Sequence, residues 1–559
     1  MSRRSARLGI AILCLAALLL RASGIDYLLP EVMNRDGLVV VRQVEYFRTG
    51  DAGAGNPSWW YASYPHLVAR LAALLPAAAP AHAGPLSLEE HLALARAPWI
   101  ELRWVSIVLA LLAVPGTYLL ARAFLDRAAA LFAAALLATS LHHVCLSIQE
   151  KPHAASASFV LLALLAALRL QRKPDLAAYL LCGAAAALSI GSLHSGVVAV
   201  LPIAAAFVLR DRRARRASPW WILGVVAIAA LAVRLLYPFF FENLADPVPE
   251  TMAAAGPDAA GFLGKIAGAL RGARVGKLLA ALFALDPLLF GLGTAGVLLG
   301  ALRARWTRPC LVVLALAAPC LLVLFLFQQT LARFFLPLYP LLACAGGYAF
   351  GRLRDVLRLR GPSRALASGA LALALLLVPL APAAHFARIR RAPGPLREAA
   401  AWVVEHVDPA ETVVVVPNVD LGLLPDADAV SQNALTPWRT IWSEYLAGVL
   451  SEDIEGRRRS ILIEPGQRPE SRAALASDPL GYLHRYRARW LVLDLSGRGD
   501  QLLDPVAERV ARFSPAREDE PDERGLVLFG TGIDPLAPSA LRILSMRSLG
   551  TTVLVYRVP

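Results

Sequence analysis

Long apolar runs alternate with short charged connections up to about residue 383. Each run has about 17 to 22 residues, which is enough to cross a hydrocarbon core about 30 Å thick as a helix. We therefore predict about eleven transmembrane helices, near residues 7–23, 101–122, 128–147, 153–170, 177–193, 195–210, 219–237, 285–303, 309–328, 334–351 and 364–383.

After residue 383 the long apolar runs end, and apolar and polar residues are mixed. "PLREAAAWVVEHVDP" predicts a helix before the strand "TVVVVP", and "YLHRYRARWLVLDL" repeats that order, with "GLVLFG" and "TTVLVYRV" as further strands. We predict a transmembrane domain over residues 1–383 and a soluble α/β domain over residues 384–559. The fold class is a polytopic α-helical membrane protein carrying a C-terminal α/β domain.

Composition supports the membrane class, because 57% of the 559 residues are hydrophobic and only 18% are charged. The net charge of +14 comes from arginines that cluster in short connections between apolar runs. Such clusters mark cytoplasmic faces and argue against nucleic acid as a partner.

The same charges predict the orientation of the chain. Leaving out the long loop of residues 24–100, the connections on one side carry 21 basic residues and those on the other side chiefly 6. The side rich in basic residues is cytoplasmic by the positive-inside rule. We predict a multi-pass protein of the cell inner (plasma) membrane with a cytoplasmic N-terminus. An odd number of crossings makes the C-terminal domain extracytoplasmic.

The loop of residues 24–100 is external in this topology, and it is long. Residues 37–50 and 64–79 alternate apolar and charged positions at roughly helical spacing, which predicts two surface helices. Between them lies an aromatic group. Such side chains settle at the lipid headgroups or contact an acceptor. Its candidate residues are Trp59, Trp60 and Tyr64.

Three features together resemble the polytopic GT-C glycosyltransferases, family 39 and its relatives, which include protein O-mannosyltransferases and lipid A aminoarabinose transferases. The first is an acidic residue after the first helix, followed by surface helices and a "YP" leading into an apolar stretch. The second is "QEKPHAASASFVLLALLAALRL" (149–170), and the third is "ARFFLPLYPLLACAGGYAFGRL" (332–353). The resemblance covers roughly residues 8–383.

The resemblance implies a sugar transferase acting on the outer membrane face, by an inverting mechanism. The donor would be a polyprenyl-phosphate sugar, and the acceptor a lipid, a glycan or a protein. Asp36 matches the family's acidic residue by position and is the candidate catalytic base. The family's Asp-Glu pair is absent here, because Gly37 follows Asp36. The alternative for Asp36 is a carboxylate that caps the following helix or pairs with Arg35.

Three basic residues are candidates for the donor phosphate. Arg333 lies at the outer end of a predicted helix, where the positive-inside rule disfavours arginine, and a guanidinium suits a phosphate. Lys151 and His194 lie at outer helix ends as well, and the family often has a basic residue at the position of His194. The alternative for all three is a structural side chain at the membrane boundary.

A divalent metal is a candidate cofactor. Glu150 and His153 are three apart, so one helix face could present both, and some relatives bind a cation. The family often has Asp at the position of His153. Glu31 and Glu45 are weaker acidic candidates, which surface solvation explains adequately.

Two other functions remain open from the sequence. A transporter or flippase for a lipid-linked glycan would carry ionisable residues near helix midpoints and show repeated halves. A membrane scaffold would present the C-terminal domain without catalysis. The charged residues here collect at outer helix ends, which favours the glycosyltransferase.

Overall fold

The structure is a computed structural model. It describes residues 2–31, 35–50, 64–77, 86–210, 220–237, 273–302, 307–326, 332–357, 364–416, 420–434, 440–448, 458–463, 469–494, 503–515 and 539–559.

The apolar part of the chain is helical. Its helices are α1 (Arg3–Ala22), α2 (Arg35–Thr49), α3 (Leu67–Ala73), α4 (Leu88–Leu111), α5 (Ala113–Arg122), α6 (Arg127–Thr139), α7 (Leu141–Ser147), α8 (His153–Arg172), α9 (Leu176–Ser192), α10 (Val200–Leu209), α11 (Trp220–Leu236), α12 (Ala273–Leu285), α13 (Pro287–Ala301), α14 (Arg308–Leu326), α15 (Tyr339–Val356) and α16 (Arg364–Ile389). Two 3-10 helices, His194–Ala199 and Ala332–Leu338, lead into α10 and α15.

Each of the eleven apolar runs contains a helix. Within the described ranges, five helices are long and apolar enough to cross a membrane, and two bent pairs raise the number to seven. Four further apolar helices are shorter. The chain therefore has the helices of a polytopic membrane protein, and the number of eleven crossings stays a prediction.

The residues group into two compact units. The membrane unit comprises Met1–Ala22, Val39–Leu74 and Leu102–Ala384, and the sheet unit comprises Ser23–Leu38, Leu75–Glu101 and His385–Pro559. The sequence-based division had assigned residues 24–100 wholly to the membrane part. Two segments of that loop instead pack with the C-terminal residues.

Small residues bring helices of the membrane unit into backbone contact. Gly296 of α13 faces the backbone of α15 so closely that a Cβ atom would meet the Ala345 carbonyl oxygen. On another face of α15, a Cβ at Gly347 would lie 2.7 Å from the Ala129 carbonyl oxygen of α6. Such close approach lets dispersion contacts hold helices together where lipid provides no hydrophobic drive. α15 is thus packed between α6 and α13.

The sheet unit continues with six helices and five strands. Its remaining helices are α17 (Pro395–His406), α18 (Ala427–Ala434), α19 (Ile441–Gly448), α20 (Pro469–Ser477), α21 (Pro479–His484) and α22 (Ala540–Ser545). Its strands are β1 (Val413–Val416), β2 (Ser460–Leu462), β3 (Trp490–Asp494), β4 (Glu508–Phe513) and β5 (Val553–Arg557).

These strands form a mixed sheet in the order β2-β1-β3-β5-β4. β1 is parallel to β2 and β3, whereas β5 is antiparallel to β3 and β4. Alternate β1 residues enter different cores: Val414 packs in one cluster and Val415 in another. All four β1 residues are buried, as in a central strand covered on both faces.

Three of the strands coincide with predicted ones. β1 lies in "TVVVVP", β3 in "RARWLVLDL" and β5 in "TTVLVYRV". The predicted strand "GLVLFG" lies outside the described residues. β2 and β4 were not predicted, because "SIL" is too short to show a period and half of the residues in "ERVARF" are charged.

Candidate functional site

A buried charged turn joins α7 to α8 in the membrane unit. α7 ends at Ser147 and α8 begins at His153. Between them, Glu150 and Lys151 are each only 3% exposed. Charged side chains are almost never this buried unless they have partners or a ligand. The turn is therefore the first place to look for function.

Glu150 has a partner inside the protein. Its Oε1 atom accepts a hydrogen bond from Arg103 Nε of α4 at 2.5 Å, and both side chains are at most 5% exposed. This ion pair fixes the residue that precedes Lys151. The sequence had not singled out Arg103.

Four of the predicted site residues come together around this turn. Arg333, Lys151 and His194 lie close enough to His153 for their charges to act on its ring. The His153 ring also lies 6.2 Å from the ring of Phe334, the neighbour of Arg333. We call Lys151, His153, His194 and Arg333 the basic cluster.

The His153 ring is buried at 7% exposure, and its Nδ1 atom has no hydrogen-bond partner among the described residues. Most buried polar atoms in proteins have a hydrogen-bond partner, so the His153 ring is unusual in this respect.

Local geometry explains how His194 reaches this place. The connection between α9 and the following 3-10 helix is tight, and Ser189 Oγ donates to the Gly196 carbonyl at 3.1 Å. A side chain at Gly196 would meet the Ser189 backbone, so glycine is required there. Ser189 lies in the last turn of α9, and the turn leaves His194 exposed at the start of the 3-10 helix.

The structure gives no support to a metal at Glu150 and His153. Arg103 takes the Glu150 carboxylate, and the residues that the structure describes include no group of three His, Cys, Asp or Glu side chains able to hold a metal ion. Metal sites need three or four converging ligands.

The backbone of Asp36 lies in the first turn of α2, which begins at Arg35. Its side chain lies outside the described residues, as do Trp59 and Trp60. Tyr64 is described and half-buried, and its carbonyl accepts a hydrogen bond from Gln43 Nε2 at 2.9 Å. The second surface helix is shorter than predicted, because α3 runs only from Leu67 to Ala73.

The weaker acidic candidates differ from each other. Glu45 is exposed, as predicted. The solvated-surface interpretation of Glu31 is wrong, because Glu31 is 5% exposed and its carboxylate accepts from Arg397 Nε at 2.8 Å. Sequence distance hid this pair, since the partners are 366 residues apart.

A buried polar network that the sequence did not predict lies in the same unit. It begins at Arg21, which lies in the last turn of α1. The Arg21 residue is fully buried. Arg21 donates to Ser147 Oγ at 2.9 Å, to His143 Nδ1 at 2.8 Å, and to the Ala138 carbonyl at 3.2 Å. One guanidinium thus ties α1 to both α6 and α7.

The network continues at the break between α6 and α7, where the two helices bend by 56°. Asp286, just before α13, accepts from Ser140 Oγ at 2.8 Å and from the backbone of Leu141 at 2.7 Å. His142 Nδ1 and the Tyr339 hydroxyl of α15 are 2.6 Å apart. We call Arg21, Ser140, His142, His143, Ser147, Asp286 and Tyr339 the polar network.

A signal for this network exists in the sequence. Arg21, Arg103 and Asp286 each interrupt or border an apolar run, and ionisable residues in membrane helices usually have a partner or a function. His142 and His143 lie at the start of α7, and both take part in side-chain hydrogen bonds.

A family model described as dolichyl-phosphate-mannose-protein mannosyltransferase matches residues 89–237. This range includes the buried turn, with Glu150, Lys151 and His153, and it includes His194. Comparison with curated proteins gives no match.

Three solved structures illustrate the structural likeness. The apo oligosaccharyltransferase of Archaeoglobus fulgidus has a TM-score of 0.48 and 16% identity, covering 92% of this chain and 74% of that one. ArnT from Cupriavidus metallidurans bound to undecaprenyl phosphate has a TM-score of 0.45 and 14% identity, covering 92% and 97%. The Pmt1–Pmt2 O-mannosyltransferase complex of S. cerevisiae bound to the sugar donor has a TM-score of 0.32 and 16% identity, covering 44% and 34%. The family-model match confirms the resemblance to the GT-C glycosyltransferases that the sequence motifs indicate.

Proposed function

We propose that this protein is a membrane glycosyltransferase that takes a sugar from a polyprenyl-phosphate carrier. The observation that carries the proposal is the basic cluster of Lys151, His153, His194 and Arg333 beside a buried turn. The match to a mannosyltransferase family over residues 89–237 supports the same reaction class.

The chemistry of the cluster suits a phosphate. A phosphate near the Arg333 guanidinium and the Lys151 ammonium is attracted to both positive charges. A guanidinium such as that of Arg333 can bind two phosphate oxygens at once, while Lys151 adds a point charge. Positive groups around a departing phosphate also stabilise the negative charge that develops on it.

The reaction we propose is a single displacement at the anomeric carbon. The acceptor hydroxyl oxygen forms a bond to that carbon while the bond to the carrier phosphate breaks. The phosphate leaves with the electron pair, and the hydroxyl proton passes to a base. Attack from the side opposite the phosphate inverts the configuration at the anomeric carbon. Asp36 is our proposed base, by its position after the first helix and the family resemblance.

The proposed topology puts the reaction on the outer face. The asymmetry of 21 to 6 basic residues supports a cytoplasmic N-terminus, and an odd number of crossings makes the sheet unit extracytoplasmic. The acceptor, whether a lipid, a glycan or a protein, then reaches the enzyme from the extracytoplasmic side of the membrane.

The test is donor-carrier binding by the full chain in lipid nanodiscs. Arg333→Ala should weaken binding of undecaprenyl phosphate by about 10- to 150-fold, since hydrogen bonds to charged groups contribute about 1.5–3 kcal/mol. Arg333→Lys should recover part of the lost affinity, because lysine keeps the positive charge but lacks the planar guanidinium group that can bind two phosphate oxygens.

Arg308→Ala is the matched control, because Arg308 is an exposed arginine that starts another membrane-unit helix, α14. Its affinity for undecaprenyl phosphate should equal that of the wild type. Equal affinities for wild type and Arg333→Ala would refute the phosphate role of the cluster.

A further inference from the structure

Two chain segments carry most of the basic cluster, and one hydrogen bond joins them. Lys151 and His153 follow α7, while Arg333 lies in the 3-10 helix that ends where Tyr339 begins α15. His142, in the first turn of α7, and Tyr339 are both fully buried. Their side chains meet at 2.6 Å, and their ring centroids are 5.3 Å apart.

α7 is held at both of its ends. At its start, Asp286 accepts hydrogen bonds from the backbone N–H groups of Leu141 and His142, at 2.7 and 3.2 Å. At its end, Ser147 accepts from Arg21 at 2.9 Å. A helix of seven residues has little stability of its own, so these bonds fix where the following turn lies.

Tyr339 connects α7, which is held in this way, to the segment that contains Arg333. Its hydroxyl interacts with Asp286 as well as with His142. Only five residues lie between Arg333 and Tyr339, and the Tyr339 side chain anchors the helix start to which the 3-10 helix leads. Buried networks of this kind resist rearrangement, because breaking their hydrogen bonds leaves polar groups without partners.

We propose that Tyr339 is a positioning residue that sets the separation between Lys151 and Arg333 for the donor phosphate. The proposal rests on the proposed function of the basic cluster. Tyr339 acts through the two segments and contacts no ligand itself. A phosphate bound by two groups is held tightly only when both are already in place, since ordering them on binding costs affinity.

Tyr339→Phe removes one hydroxyl and leaves the ring. We expect undecaprenyl phosphate to bind about 3- to 10-fold more weakly to this variant in nanodiscs, which corresponds to one or two ordinary hydrogen bonds. The matched control is Tyr179→Phe. Tyr179 is also a buried membrane-unit tyrosine, and its hydroxyl accepts from Arg210 at 3.1 Å, away from the polar network.

Both tyrosine variants should lower the thermal unfolding midpoint by a similar amount, and only Tyr339→Phe should lower the affinity. The second readout is non-additivity. In an Arg333→Ala background, Tyr339→Phe should cause no further loss, because the group that it positions is gone. If Tyr339→Phe does not fold, His142→Leu removes the same hydrogen bond and should give the same loss of affinity.

The outcomes separate the two proposals. A wild-type protein that binds no undecaprenyl phosphate overturns the proposed function, and the positioning role with it. Wild-type affinity in Tyr339→Phe or His142→Leu, or a full additional loss in the Arg333→Ala background, overturns the positioning role alone. An equal loss of affinity in Tyr179→Phe would also overturn it, since general loosening of the membrane unit would then explain the effect.

Discussion

Replacing Arg397 by methionine should destabilise the sheet unit, because it removes the ion-pair partner of one buried carboxylate, that of Glu31. Arg397 Nε donates to Glu31 Oε1 at 2.8 Å, and its Nη2 donates to the Leu29 carbonyl at 2.9 Å. The Glu31 side chain is 7% exposed, whereas that of Arg397 is 40% exposed. Methionine keeps most of the apolar stem and removes both donors, so Glu31 remains buried without this partner.

The size of the effect follows from these exposures. Removing one partner of a fully buried ion pair costs about 3–5 kcal/mol. Water reaches the outer part of Arg397 and screens its charge, so the cost falls to about 2 kcal/mol. For a unit of about 150–250 residues, that loss lowers the thermal midpoint by about 4–8 °C.

The effect should depend on pH in a definite direction. Burial raises the pKa of Glu31 above its ordinary value, although the nearby Arg397 charge opposes the rise. Without Arg397 the pKa rises further. An acid with a raised folded-state pKa stabilises the fold at low pH, where it is protonated, and loses that stability as the pH rises through its pKa. The Arg397→Met penalty should therefore be larger at pH 8 than at pH 5.

The assay is thermal unfolding of the full chain in nanodiscs at both pH values, with hydrogen exchange of the β1 peptide to report on the sheet unit. Arg547→Met is the control: its pair with Glu398 in α17 is exposed at 48% and 30%, so it should change stability by less than about 1 kcal/mol. Glu31→Gln should restore most of the loss in Arg397→Met. A penalty that is equal at both pH values and is not relieved by Glu31→Gln would refute this reasoning.

Two further predictions concern orientation and catalysis. Alkaline phosphatase, which is active only outside the cytoplasm, should be active when fused after Pro559; activity of a cytoplasmic reporter at that position instead would show an even number of crossings. Asp36→Asn, nearly isosteric, should lower sugar transfer about 10²- to 10⁴-fold, because it removes a base and keeps the shape. Donor-carrier affinity and expression should stay unchanged, and Glu45→Gln should transfer at the wild-type rate; wild-type turnover in Asp36→Asn would make Asp36 a helix cap.

The helices of the membrane unit were predictable because lipid imposes a simple rule on the sequence. A segment that crosses a bilayer must be apolar over its length and must satisfy its own backbone, so each apolar run became a helix. The meeting of Lys151, His153, His194 and Arg333 followed from the same rule. Lys151, His194 and Arg333 were each assigned to an outer helix end, and residues at the same depth of a helix bundle lie near one another more often than residues at different depths.

The partners of buried charges were not predictable in this way. Arg21 meets His143 122 residues later, and Glu150 meets Arg103 47 residues earlier. Such pairings depend on which helices become neighbours, and hydropathy does not encode neighbours. The prediction for Glu31 was wrong for a similar reason. An acidic residue in a polar loop has the same sequence context whether its side chain is solvated or buried. The Asp36 assignment stays a prediction.

The sheet unit is assembled from three separated stretches of chain, and this gives its formation an order in time. During synthesis, Glu31 precedes Arg397 by 366 residues. At about 5–20 residues per second, Glu31 waits roughly 20–70 s for its partner to be made. Most of the membrane helices are synthesised within that interval. The early segments Ser23–Leu38 and Leu75–Glu101 therefore stay without their C-terminal neighbours until the residues from His385 onward are made, so a chain truncated after residue 384 would leave both segments without those neighbours.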